Sequence, residues 1–250
     1  MSYGFSSQNG SGFTQIDTDL SNLAVYAHGT TTNGAILPIP AALDISKDVL
    51  IFARPTTSVD GNFLYGFIDR SNFRFRVYSS RGTQTQSWWW DNFKVAGSGL
   101  TLDTGPNIEY LVCSTSSSLP APSSSGYGLE IRNASNQLVF HSSLNTVKIS
   151  HQLSFEVEEE LSLDTTLLTI PNIPNIASTF VLINPTYPFR TVGVGPGQVR
   201  LRFTPSIVFN YSTSTIYVDT QNGISGPGGS SNTNTFATGH RTILIGKHTP

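Results

Sequence analysis

The sequence predicts an all-β protein made of two tandem antiparallel β-sandwich domains from an internal duplication. Three observations lead there. No long segment places apolar residues at i, i+3, i+4 and i+7, so helical periodicity is missing. Short alternating segments bounded by Gly, Asn, Ser and Pro recur along all 250 residues. The chain also repeats itself. Tyr3-Gly4-Phe5 opens a stretch to Leu23, and Tyr127-Gly128-Leu129 opens another to Val147. The two align without a gap at Tyr3/Tyr127, Gly4/Gly128, Asn9/Asn133, Ser11/Ser135 and Leu20/Leu144.

Each repeat opens as a hairpin. Asn9-Gly10 suits a type I′ turn, which needs positive φ at both central residues. Asn133-Ala134 stands there in the second repeat, and alanine's poor tolerance of positive φ shifts the expected turn by a residue or two. Further blocks follow in the same order. Ile39-Pro40 answers Ile170-Pro171, and Val49–Pro55 answers Thr179–Pro185. Phe73–Val77 answers Val199–Phe203, Trp88–Asp91 answers Ile216–Asp219, and Tyr110–Cys113 answers Ile243–Gly246. Strand alternation puts Phe73, Phe75 and Val77 on one face and Arg74 and Arg76 on the other. Pro40 to Ile45 suggests one helical turn. Ser- and Pro-rich residues 114–125 read as a linker between a first sandwich at 1–113 and a second at 126–250. Gly223 to Asn232 reads as a long surface loop, against the shorter Ala96 to Gly99 in the first repeat.

Composition narrows the function. Apolar residues make up 38% of the chain, enough for a core in each half. Charged residues make up 12%, about half the usual share. With 14 Lys and Arg against 16 Asp and Glu there is no basic face, which argues against nucleic-acid binding. A single cysteine, Cys113, excludes an intrachain disulfide framework and reads as a buried small hydrophobe. Met1-Ser2-Tyr3-Gly4 shows neither a charged nor an apolar signal region, and no apolar run reaches membrane-spanning length. The expectation is synthesis in a cytoplasm, without membrane insertion.

The repeat also filters candidate chemistry: a feature of both halves reads as scaffold, a feature of one half as a functional candidate. Trp88, Trp89 and Trp90 could stack on sugars or bases. Set against Ile216-Tyr217-Val218, they read first as strand packing or an interface, and second as a receptor or subunit contact. Glu156, Glu158, Glu159 and Glu160 lack calcium-loop spacing and read as a solvated or subunit-facing patch. His28, His141, His151, His240 and His248 show no HxH or HxxxH spacing, so no metal site is expected. Gly193, Gly195 and Gly197 lack the Lys and the following helix of a phosphate loop. Arg74/Arg76 with Arg200/Arg202, and Asp91 with Asp219, read as shared scaffold. No catalytic residue and no cofactor emerges.

The repeat openings resemble small minor tail proteins of tailed bacteriophages. These begin Ser-Tyr-Gly-Phe or Ser-Tyr-Gly-Leu and continue with a β-hairpin and an apolar–Asp–Ser/Thr segment. The matching residues are Ser2-Tyr3-Gly4-Phe5 and Gln15-Ile16-Asp17-Thr18. The second repeat has Gly126-Tyr127-Gly128-Leu129 and Val139-Phe140-His141-Ser142, with the Asp lost. The resemblance implies a non-enzymatic virion structural protein of the tail tip, baseplate or fibre region, contributing to host attachment. Its implied partners are other tail proteins, further copies of itself in a symmetric assembly, and a host surface glycan or protein. The alternative is a lectin-like carbohydrate-binding module, and a third reading is a hydrolase of surface polysaccharide.

Overall fold

The computed structural model describes residues 6–8, 14–17, 23–32, 34–41, 43, 49–60, 62–69, 72–81, 106–114, 129–132, 136, 138–141, 145–157, 166–183, 190–193, 199–227 and 239–249. The first half contributes β1 (Ser6–Gln8), β2 (Thr14–Asp17), β3 (Ala24–Thr31), β4 (Ile36–Pro38), β5 (Val49–Pro55), β6 (Asn62–Asp69), β7 (Arg74–Arg81) and β8 (Ile108–Ser114). The second contributes β9 (Glu130–Arg132), β10 (Leu138–His141), β11 (Thr146–Val157), β12 (Thr166–Ile170), β13 (Phe180–Leu182), β14 (Arg190–Gly193), β15 (Val199–Asn210), β16 (Thr215–Pro227) and β17 (Gly239–Thr249). A 3-10 turn spans Ile176–Ser178. The structure is all-β and its strand pairs are antiparallel.

Six strands close a barrel in the order β11-β17-β13-β5-β8-β3. A seven-stranded sheet runs β12-β16-β15-β6-β7-β4, with β14 added on β15. Both layers therefore mix strands from both halves. β5 pairs with β13, β6 with β15, and β3 with β11. This corrects the expectation of two self-contained sandwiches at 1–113 and 126–250. Each half exposes unpaired edges, and the other half supplies the strands that satisfy them. Ser114 ends β8 rather than opening a linker, and residues 115–125 lie outside the described residues. The helical turn expected over 40–45 falls largely outside them too; Leu43 N donates to Pro40 O there at 2.9 Å.

The halves repeat each other's registers. β1–β2 pairs Ser6 with Asp17, Ser7 with Ile16 and Gln8 with Thr14, skipping Gln15. β9–β10 pairs Glu130 with His141, Ile131 with Phe140 and Arg132 with Leu138, skipping Val139. These are the aligned positions of the repeat openings. In the barrel, Val25↔Cys113, Ala27↔Val112 and His28↔Leu111 answer Ile149↔Gly246, His151↔Ile245 and Gln152↔Leu244. A bulge falls at the same place in each, on Tyr26 and on Ser150. Leu50↔Cys113 and Ile51↔Val112 answer Phe180↔Gly246 and Val181↔Ile245.

Two of the aligned blocks shift. The β6–β7 turn closes with Asp69↔Arg74 and the β15–β16 turn with Asn210↔Thr215. Phe73 and Ser214, just before the second strand of each pair, both have positive φ, 49° and 52°. Their carbonyls accept from Ile39 N and Ile173 N, each at 2.8 Å. Phe75-Arg76-Val77 is therefore the counterpart of Ile216-Tyr217-Val218, and Ile39-Pro40 that of Ile173-Pro174. The extra residue in the second half is Asn172, at φ 59°. Alternating strand patterns match at any even shift, so sequence alone could not separate these registers. Arg74 and Arg76 are not the counterparts of Arg200 and Arg202, nor is Trp88–Trp90 that of 216–218.

The two faces of the barrel wall enter two cores. Ile51, Ala53, Val112, Val181, Ile243 and Ile245 face outward, packing with Leu64, Phe75, Val77, Ile207, Phe209, Ile216 and Val218 of the sheet. Leu23, Phe52, Leu111, Cys113, Val147, Phe180 and Leu182 form a separate cluster drawn from the barrel strands, with Val25, Leu50, Ile149 and Leu244 against it. These alternate with the first set and fill the barrel interior. Leu182 pairs with Phe52 across the two halves. Gly246 faces this interior, where an added Cβ would lie 2.7 Å from Val147 Cγ1 and 2.8 Å from Lys148 O.

Two stability measurements check this core. Phe52→Ala is expected to lower unfolding free energy by about 3–5 kcal/mol, through lost burial and the cavity left behind. Gly246→Ala is expected to cost about 1–3 kcal/mol by overpacking. Denaturant unfolding of both variants in parallel reads the two effects; an unchanged midpoint for Phe52→Ala contradicts a filled barrel.

Candidate functional site

The polar residues that stand out lie together at one end of the barrel. Arg54 lies near the end of β5, directly opposite Glu109 on β8. By alternation with Phe52 and Leu111, both share the interior face. Glu109 Oε2 accepts from Arg54 Nε at 2.8 Å, with Nη2 at 2.5 Å. Arg54 Nη1 donates to the Ala177 carbonyl of the 3-10 turn. The guanidinium also lies over the Phe180 ring, 5.0 Å from its centroid. One cation is thus tied to a carboxylate, a carbonyl and an aromatic face, so it is fixed in place.

Two histidines complete the cluster. His28 Nε2 lies 3.7 Å from Glu109 Oε1. Its ring faces that of His248 at 5.3 Å between centroids, tilted by 43°. His248 also stands edge-on to Phe180 at 6.4 Å. His248 Nε2 is buried and has no hydrogen-bond partner. Burial lowers the His248 pKa below the usual histidine value; His28 and Arg54 lower it further, and Glu109 acts in the opposite direction. Gaining a proton at His248 is therefore opposed by its folded surroundings.

Three of the four, His28, Arg54 and Glu109, come from the first half, and His248 comes from the last strand of the second. By the matched registers, His28, Arg54 and Glu109 correspond to Gln152, Asn184 and Thr242. At the opposite end, Ser154 Oγ and Thr242 Oγ1 lie 3.5 Å apart, a neutral contact. The duplication filter therefore selects His28, Arg54, Glu109 and His248. Sequence reasoning weighed His28 and His248 only as metal ligands and did not single out Arg54 or Glu109. No spacing links positions 28, 54, 109 and 248, and only the barrel closure brings them together.

The residues singled out from sequence fare differently. Trp88, Trp89 and Trp90 lie outside the described residues, as do Glu158, Glu159, Glu160 and Asp91. Glu156 is exposed and faces His240 Nε2 at 3.9 Å. His151 Nδ1 lies 3.0 Å from Ser150 Oγ. Cys113 is buried in the barrel interior, where desolvation raises its thiol pKa far above the usual range. Asp219 is buried on β16. Among the described residues, no group of three His, Cys, Asp or Glu is placed to hold a metal ion, and no helix is long and apolar enough to cross a membrane. Compared with family models, curated proteins and solved structures, the chain finds no match.

Replacing Glu109 by Gln leaves the Arg54 charge half-buried beside neutral partners. It is expected to cost about 1–3 kcal/mol in unfolding free energy. Thr242→Val, at the counterpart position, is expected to stay within about 0.5 kcal/mol of the parent. Equal losses in urea unfolding contradict a half-specific charged cluster.

Proposed function

We propose that this chain is a non-enzymatic structural protein of a tailed-phage virion, at the tail tip, baseplate or fibre region, contributing to host attachment. The observation that carries the reading is the pair of opening hairpins. Directly after the two Tyr-Gly openings, β1–β2 and β9–β10 show the same pairing and the same skipped residue. The low charge and the Ser-, Thr- and Asn-rich surface favour a protein embedded in an assembly. In this reading the chain is made in the host cytoplasm and joins other tail proteins and further copies of itself. The matched registers support an internal duplication whose two products have grown into one body. A duplicated body offers related surfaces to more than one neighbour in a symmetric assembly.

A second reading, recognition of a surface glycan, draws on one observation. Trp88–Trp90 loses its strand counterpart once 216–218 is matched to 75–77. The three tryptophans fall in the sequence between β7 and β8, and the matching connection in the second half is the Gly- and Ser-rich stretch before β17. Connections carry recognition more often than core strands do.

Labelled antibody against the protein should decorate intact virions at one end of the tail in electron micrographs. Particles that never carry the label remove the structural reading. On a glycan array the parent should bind a discrete set of sugars, and Trp89→Ala or Trp90→Ala should lose about tenfold or more, as expected for one lost stacking platform. An empty array removes the glycan reading.

A further inference from the structure

We propose that His28 and His248 form an acid-sensitive latch at the barrel seam where β3 meets β11. The register of this seam holds a single pair, Ala24 with Thr146. Two hydrogen bonds flank it, Val25 N to Asn145 O at 2.9 Å and Val147 N to Leu23 O at 3.0 Å. The other barrel neighbours of these strands are paired along their length, β3 with β8 over Ala24–Thr31 and β11 with β17 over Thr146–Val157. From Ala27 to Thr31, β3 has no pairing with β11 among the described residues. β17 ends at Thr249, opposite Thr146, so its last residues lie across that gap. His28 and His248 meet there, ring against ring.

The charges around the latch decide what acid does. His28 comes from β3, Glu109 from β8, Arg54 from β5 and His248 from β17; β13 offers Phe180, and the 3-10 turn the Ala177 carbonyl. Lys148 and Lys247 are register partners on β11 and β17. They alternate with the interior residues Val147 and His248, so they belong to the outer face. The interior group therefore holds one fixed cation, one fixed anion and two imidazoles. Arg54 already engages the Glu109 carboxylate. When both imidazoles are protonated, three positive charges face one negative charge in a partly desolvated mouth. His248 is also the worse proton acceptor when folded, because burial and its neighbours oppose the charge. The sign follows from linkage. Above the unfolded histidine value near 6.5 His248 is neutral in both states and nothing is lost. As pH falls through that value the open state binds protons more readily, and the closed seam loses stability.

Opening separates His28 of β3 from His248 of β17. The β3–β8 and β11–β17 ladders are untouched, so the device acts locally. The second half carries Gln152 where the first carries His28, so the counterpart position has no imidazole to protonate.

Hydrogen exchange on the full chain, corrected for intrinsic rates, tests this at about pH 7.5 and about pH 5, on either side of histidine titration. In the parent, amides of β3 and the end of β17 should lose protection by about tenfold or more at the lower pH, while those of β15 and β16 change little. His28→Gln installs the residue of the other half and should abolish this selective loss. His248→Asn should do the same, and serves if His28→Gln fails to fold. A parent with no selective loss, or a folded variant that keeps it, overturns the latch.

Discussion

The structure depends on antiparallel pairing between each strand and its own repeat. β5 meets β13 through Phe52 and Leu182, which are aligned positions of the two halves. Val147 N donates to Leu23 O across the opposite wall, again between aligned positions. β6 and β15 repeat the arrangement in the sheet. An antiparallel pair of like strands is self-complementary about a two-fold axis, as in an isologous dimer. One such axis relates the strand orders of both layers. Each half alone would leave the edges of β3, β5 and β6 open. The halves are therefore obligatory partners, and both hydrophobic cores are common property.

Against that near-symmetry, the differences between halves become informative. Some are small backbone adjustments. Asn172, at positive φ, absorbs one extra residue between β12 and the 3-10 turn. Others change chemistry. The first half places arginine, glutamate and histidine at its end of the barrel, and a histidine from the last strand joins them. At the opposite end the counterpart contact of Ser154 with Thr242 is neutral. Cys113 and Gly246 share one interior position, where small size is the common requirement. A duplicated core tolerates little change, because each interior residue packs against both halves. Its rim is free to acquire charge.

Asp60 shows a further way in which the halves are joined. Its Oδ1 accepts from Tyr211 N at 2.6 Å and Ser212 N at 3.0 Å. A loop of the first half thus caps a turn of the second. Hydrogen bonds from the Ser212 side chain and from the Ser212 and Tyr211 amides hold the Asp60 carboxyl below its usual pKa. Together with the shared ladders, this makes separation of the halves costly in hydrogen bonds as well as in apolar contact.

The all-β class, the hairpin openings and the internal repeat were all legible in the chain, because alternation and turn chemistry are local. The gapless match of Tyr3 to Leu23 with Tyr127 to Val147 reappears as equal registers down to the skipped residue. The blocks around Phe73 and Trp88 were misaligned from sequence, since a two-residue period fits equally well at several shifts. Two separate sandwiches were the natural expectation, because a repeat says nothing about which strand edges it will pair with. Only the tertiary structure decided that the halves complete each other's sheets. It also decided that His28, Arg54, Glu109 and His248, scattered over the whole sequence, meet at one end of a closed barrel. Long-range pairing sets both outcomes, and such pairing leaves no local mark on the residues it brings together.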